Sequence, residues 1–201
     1  MKGLLIVISG PSGTGKTTLC NQLVKENSSF RYSISMTTRT PRGEEINGRD
    51  YLFVSFDDFR QRIENNEFAE WAEVHGNYYG TPKKFLEETC QEADVIFDID
   101  VQGGLKIKEN YPKESILIFV LPPSLEVLET RLRGRETDSE EVIKRRLLNA
   151  ESELRHLFKY DYYVVNHDFK KTAGTIKNII KTEERRVRRI PKELLGKMGL
   201  A

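Results

Sequence analysis

The chain has 201 residues, 32 basic against 31 acidic side chains, a net charge of +1 and two cysteines. That balance gives no global pull towards nucleic acid or a membrane surface, so any anion binding must come from local arginine placement. No apolar run is long enough for a membrane span or a signal-peptide core, and Cys20 and Cys90 lack metal-ligand spacing, so a single domain with reduced thiols, in the cytoplasm, is expected.

Residues 4–9 are a short apolar run ending in Ser9, which suits a strand buried on both faces of a parallel sheet. Gly10-Pro11-Ser12-Gly13-Thr14-Gly15-Lys16-Thr17-Thr18 follows, with the Gly-x-x-x-x-Gly-Lys-Thr spacing of a phosphate-binding loop. The physics is specific. The three glycines let consecutive N–H groups converge on one point. A helix from Lys16 to about residue 26, with Leu19, Leu23 and Val24 on one face, adds unpartnered N–H groups at its start. The Lys16 ammonium can reach terminal phosphates, and the Thr17 hydroxyl can ligate magnesium. Residues 10–18 are therefore the expected ATP-binding segment.

Residues 33–84 break the strand–helix rhythm. The alternations Ser33–Thr38, Asp50–Ser55, Phe68–Val74 and Asn77–Thr81, with one helical stretch near 56–66, predict a small, mostly antiparallel β insertion. Its Thr40–Asp50 loop is rich in Pro, Gly and Asn, hence a turn or a mobile element. Val95-Ile96-Phe97 leads into Asp98-Ile99-Asp100 and a helix from Val101 to Tyr111. Asp98 and Asp100 point the same way if the strand continues through both. Ile116–Leu121 predicts another buried strand, stopped by Pro122-Pro123, and Ser124 can cap a helix carrying Leu125, Leu128 and Leu132. Residues 131–150 read as a flexible basic lid. Tyr162–Val165 predicts a further strand, followed by a long helix from about Phe169. Alternating strands and helices imply a parallel sheet with right-handed crossovers.

Further motifs sharpen this. Thr37-Thr38-Arg39-Thr40-Pro41-Arg42, continuing through Asn47-Gly48-Arg49-Asp50-Tyr51-Leu52-Phe53, resembles the nucleoside-monophosphate segment of the guanylate kinases. Phe68-Ala69-Glu70-Trp71, Gly76-Asn77-Tyr78-Tyr79-Gly80-Thr81, Asp98-Ile99-Asp100-Val101-Gln102-Gly103, Arg131-Leu132-Arg133-Gly134-Arg135 and Arg145-Arg146-Leu147 fit the same family, over about residues 4–185. The resemblance implies an α/β three-layer kinase built on a five-stranded parallel sheet. Its parts would be a core (1–32, 85–124, 154–190), a GMP-binding insertion (33–84), a helical, arginine-rich lid (125–153) and a basic tail (181–201). The implied reaction is ATP + GMP to ADP + GDP, with magnesium. The implied partners are these two small molecules, with neither nucleic acid nor membrane, as a monomer or a homodimer.

The resemblance also implies residue roles. Arg39 and Arg42, with the hydroxyls of Tyr51 and Tyr79, would hold the GMP phosphate, and two arginines three apart can both fork onto one phosphate. Glu70 would face the N1–H and N2 amino donors of guanine, a pairing that adenine with its N1 lone pair cannot make. Ser35 and Thr81 would supply hydroxyls near the base, and Asp100 a second carboxylate. Asp98, at the end of the buried strand, fits the acidic partner that steadies hydrated magnesium, beside Thr17. Arg135 and Arg146 would close from the lid and, with Lys16 and Arg39, offset charge on the transferring phosphoryl group. No general base is needed, because the acceptor is an ionised phosphate. His75, His156 and His167 are scattered and read as surface or structural; Arg131, Arg133, Arg145 and the basic stretch Lys181–Lys197 read as solvated helix faces. Two rival readings are a non-catalytic protein-binding module of the same fold, which characteristically loses the loop glycines or lysine retained here, and a kinase for another small acceptor.

Overall fold

A computed structural model describes residues 3–74, 76–134 and 139–200; the roles expected of His75 and Arg135 lie outside the described residues. In chain order the elements are β1 (Leu5–Ser9), α1 (Lys16–Glu26), β2 (Phe30–Tyr32), β3 (Met36–Thr37), β4 (Leu52–Phe53), α2 (Phe56–Glu64), β5 (Phe68–Val74) and β6 (Asn77–Pro82). These are followed by α3 (Lys83–Thr89), β7 (Asp94–Asp98), α4 (Val101–Asn110), β8 (Ser115–Leu121), α5 (Leu125–Arg133), α6 (Glu140–Leu154), β9 (Tyr162–Val165), α7 (Phe169–Glu184) and α8 (Lys192–Lys197).

A five-stranded sheet runs β2-β7-β1-β8-β9, parallel at every pairing. Its central strand explains why its sequence is apolar without alternation. Leu4, Ile6 and Ile8 pack on one face with Leu19, Leu23, Ile176 and Ile180 of α1 and α7. Leu5 and Val7 pack on the other with Leu86, Cys90, Ile107 and Tyr111, from α3 and α4 and the residues just after them. The result is three layers, with each fully buried Leu or Ile contributing about 1.5–3 kcal/mol. Both cysteines are buried free thiols. Among the described residues, no helix is long and apolar enough to cross a membrane.

The second sheet, β4-β3-β6-β5, is drawn wholly from residues 36–82. It is mixed: β3 pairs parallel with β4 but antiparallel with β6, and β6 pairs antiparallel with β5. The expected Ser33–Thr38 and Asp50–Ser55 strands are shorter, because only Met36–Thr37 and Leu52–Phe53 join a continuous ladder. The β2 strand and the α3 helix carry too little pattern to be anticipated. The first has three residues, and the second has seven with no side-chain cap.

Two further segments carry basic side chains. Arg131 and Arg133 continue α5, whose start is capped by Ser124 accepting from the Val127 N–H at 3.2 Å. Leu128 and Leu132 then meet Ile143 and Ala150 of α6 in a small core of their own, so the described parts of this basic segment lie on two helices packed together. The C-terminal stretch is not one solvated helix. After α7 come a 3-10 turn at Val187–Arg189 and then α8. Arg186 pairs at 2.8 Å with Glu183, which is 1% exposed, and Arg189 donates to the carbonyls of Lys113 and Glu114.

Candidate active site

The loop after β1 is shaped by its neighbours. Gly10 takes φ +137°, and a Cβ there would lie 2.3 Å from the Val120 carbonyl oxygen of β8, so only glycine fits. Thr14 is fully buried and turns its hydroxyl back onto the Pro11 carbonyl at 2.9 Å, which leaves only its backbone to face a ligand. Gly15 precedes α1 with no side-chain cap, so the first N–H groups of that helix, which include those of Lys16, Thr17 and Thr18, carry an uncompensated positive field. Lys16 Nζ donates to the carbonyls of Gly10 at 2.5 Å and Pro11 at 3.0 Å, laying the ammonium across the mouth of the loop.

The parallel register Ile8↔Asp98 brings the end of β7 beside this loop. Thr17 Oγ1 donates to Asp98 Oδ2 at 2.5 Å, and the Tyr32 hydroxyl donates to the same oxygen at 3.4 Å. A hydroxyl and a carboxylate side by side are hard oxygen donors of the kind magnesium takes, so these residues fit that ion. Asp100 is not a strand residue aligned with Asp98. The strand stops at Asp98, and Asp100 caps α4 by accepting the Gly103 N–H at 2.8 Å. Ser9 Oγ pins the intervening corner by donating to the Ile99 carbonyl at 2.9 Å.

Glu70 stands on β5, where a bulge between Phe68 and Glu70 breaks the alternation and buries Phe68, Ala69 and Glu70 in succession. Its carboxylate is 6% exposed; Oε1 accepts from the hydroxyl of Thr81, its register partner on β6, at 2.8 Å. Oε2 lies 2.9 Å from where a Cβ on Gly103 would stand, so a larger residue at 103 would push the acid aside. Burial pushes the Glu70 carboxyl up to about 7, partly opposed by the Thr81 hydrogen bond. Such a group sits between its ionisation states near neutrality, as groups at functional sites often do.

A small cavity runs from Glu70 and Asp100 past Tyr79 to Ser35, Tyr51 and Asp98. There it meets a larger cleft lined by Ser12, Thr17, Arg39, Arg42 and Arg146. Thr81 lies behind Glu70, outside both linings. Arg39 is 8% exposed, and its end-on fork is already occupied. It pairs end-on with Glu45, NH1 to Oε2 and NH2 to Oε1, each at 2.9 Å. Its guanidinium lies 5.2 Å from the Tyr51 ring centre and 5.9 Å from that of Phe53, within cation–π range.

The pattern alone did not single out Glu45, Gly103 or Asn166. Asn166 is 6% exposed, and its Nδ2 donates to the Thr14 carbonyl at 2.7 Å, tying the end of β9 to the phosphate-binding loop. Arg131 reaches the Asn166 carbonyl at 2.9 Å, so it is a tether rather than a solvated charge. The one sequence signal for Asn166 is its place just beyond a strand's carboxyl end, where parallel sheets gather ligands. Arg133 is exposed and paired with Glu129 and Glu140, and Arg145 is exposed, both as expected of a helix surface. Among the described residues, no group of three or more His, Cys, Asp or Glu side chains is arranged to hold a metal ion.

The family profile described as "Guanylate kinase" matches residues 2–183. A guanylate kinase of Myxococcus xanthus is 50% identical over 96% of this chain and 93% of its own length. One of Clostridium tetani is 49% identical over 99% of this chain and 96% of its own. The crystal structure of guanylate kinase from Anaplasma phagocytophilum superposes with a TM-score of 0.80 at 35% identity, covering 99% of this chain and 96% of that one. A loop shaped for phosphate, a buried acid at the far end of the same cleft and likeness along nearly the whole length lead to one conclusion: the chain belongs to the guanylate kinase family.

Proposed function

We propose that this protein transfers the γ-phosphoryl group of ATP to the phosphate of GMP, giving ADP and GDP, with magnesium as cofactor. The observation that carries the reading is the continuity of the cleft. It has Ser12 and Thr17 of the phosphate-binding segment at one end and arginines along its wall, and it leads to a buried carboxylate beside a hydroxyl. In this reading residues 10–18 cradle the ATP phosphates, and Lys16 leaves its two carbonyl partners to meet them. Ionised, Glu70 accepts from N1–H and the N2 amino group of guanine, while Thr81 holds its other lone pairs; Ser35 and Asp100 flank the base. Arg39, Arg42, Tyr51 and Tyr79 take the acceptor phosphate. Arg146, from α6, and Arg135 offset the charge that spreads over the phosphoryl oxygens during transfer.

Thr17 and Asp98 would hold magnesium, which supplies charge neutralisation to the phosphate oxygens when bound. The core, the β insertion and the lid keep the boundaries drawn above, and closure of insertion and lid on the two nucleotides excludes water that would hydrolyse ATP. The setting is cytoplasmic, in nucleotide recycling. The test is an acceptor panel: ADP release measured with MgATP and equal concentrations of GMP, AMP, CMP and UMP. GMP should be preferred by several powers of ten, and equal turnover of AMP would end the base-recognition account.

A further inference from the structure

The acid at position 45 sits inside the arginine-lined corner of the cleft, where the reaction proposed above has no use for a negative charge. It is built in, not stray. Residues 42–45 form a turn closed by the Glu45 N–H on the Arg42 carbonyl at 3.1 Å, which fixes where the side chain starts. Its Oε2 accepts from Arg39 NH1 at 2.9 Å and from the Arg42 main-chain N–H at 2.8 Å, while Oε1 accepts from Arg39 NH2 at 2.9 Å. Arg39 holds this carboxyl below its ordinary range, so its charge persists into acid.

A donor count shows what this leaves. A guanidinium has five N–H donors. Both NH1 hydrogens of Arg39 are taken, by Glu45 and by the Thr40 carbonyl at 2.7 Å, and one NH2 hydrogen is taken by Glu45. The remaining pair, Nε–H and the outer NH2 hydrogen, lies along the other edge of the plane; Arg39 also hydrogen-bonds Tyr79, itself an expected ligand of the same phosphate. Those two donors are parallel and suit two oxygens of one phosphate. We propose that Glu45 is a positioning residue for the acceptor phosphate. It occupies the end-on fork of Arg39, locks the guanidinium against the Tyr51 and Phe53 rings and ties it to the Arg42 backbone, so that the side-on edge meets the phosphate. The alternative role for such an acid is a competitor that must leave before phosphate binds, and the two predict opposite changes in acceptor affinity.

The inference rests on the reading that Arg39 and Arg42 receive the phosphate of GMP. The experiment uses the full chain as wild type, Glu45→Gln and Glu45→Asp. The readouts are KM for GMP, KM for ATP, guanosine affinity by calorimetry and thermal melting. Glu45→Gln should raise KM for GMP about 10- to 100-fold through loss of the charge-assisted pair, with KM for ATP and the Kd for guanosine within about twofold of wild type. Glu45→Asp keeps the charge and should fall in between; it decides alone if the glutamine variant does not fold. A KM for GMP that is unchanged or lower overturns the proposal, and so does guanosine affinity falling in step with GMP. A wild type that binds GMP no better than guanosine would instead sink the phosphate assignment itself.

Discussion

Glu70→Gln is the substitution that puts most weight on the geometry. Glutamine is nearly isosteric, and its carbonyl oxygen can still accept from the Thr81 hydroxyl, which lies 2.8 Å from Oε1. The other position changes from an acceptor into an NH2 donor, aimed where guanine also donates. One charge-assisted hydrogen bond is lost, worth about 1.5–3 kcal/mol, and a buried donor is left unpaired at about 1–3 kcal/mol. Together these predict a fall in kcat/KM for GMP of about 10²–10⁴-fold, with ATP affinity unchanged. The apo protein should respond in the opposite sense. The folded state holds the Glu70 proton more tightly than the unfolded chain, pushing the carboxyl from an ordinary 4.5 up to about 7. Stability from this group is therefore fully present below about 4.5 and lost as pH rises to about 7. At 1.36 kcal/mol per pH unit, keeping the acid ionised at pH 8 costs up to about 3 kcal/mol, which glutamine avoids. The assays are coupled ADP release and thermal melting at pH 4.5 and pH 8. Glu70→Gln should melt several degrees above wild type at pH 8, and close to it at pH 4.5. GMP turnover within tenfold of wild type would refute the base-recognition argument, and an unchanged melting gap between the two pH values would refute the buried-acid argument.

The same ionisation should govern ligand binding. Guanosine, which has no phosphate to titrate, should bind the wild type progressively more weakly as pH falls below about 7, since a protonated Glu70 presents a donor to donors; calorimetry across pH 5.5–8.5 checks this, and Glu70→Gln should show a flat profile. Asn166→Ala removes the donor to the Thr14 carbonyl, so KM for ATP should rise about tenfold and stability should fall by about 1–2 kcal/mol, with KM for GMP unchanged; steady-state kinetics and urea unfolding would show otherwise if the loop were held elsewhere. Gly103→Ala places a methyl 2.9 Å from Glu70 Oε2, and it should raise KM for GMP more than KM for ATP; equal effects would mean that α4 shifts as a whole.

Much of the core could be read from residue order. The unalternating run at 4–8 could only be a strand covered on both sides, and it is the central strand with α1 and α7 on one face and α3 and α4 on the other. The glycine spacing at 10, 13 and 15 marked a loop that needs left-handed backbone, and all three residues adopt it. The insertion was legible as mostly antiparallel β, and two of its three pairings are antiparallel; that β3 and β4 pair parallel was not legible, because which short strands pair depends on contacts far apart in sequence. The small core of Leu128, Leu132, Ile143 and Ala150 was not legible, because basic residues interrupt the apolar set and it forms only when α5 and α6 meet. Of the tail arginines, Arg189 was read as solvated, yet it turns inward to backbone carbonyls, and Arg186, though exposed, pairs with a buried glutamate, partners that charge counting cannot see.

Residue order alone determined the phosphate-binding loop and the strands that carry it, since each depends on local backbone freedom or on an unbroken apolar run, while the acid at position 70 was singled out by the resemblance of its motif to the guanylate kinases. Tertiary structure decided how those groups act. A bulge in β5 turned Glu70 inward, the end of β7 made Asp100 a helix cap rather than the companion of Asp98, Asn166 reached back across the sheet to the loop, and Glu45 took one edge of Arg39. Each of these is a contact whose strength is set by the distance and desolvation of groups brought together from different parts of the chain, and pattern along one segment contains neither.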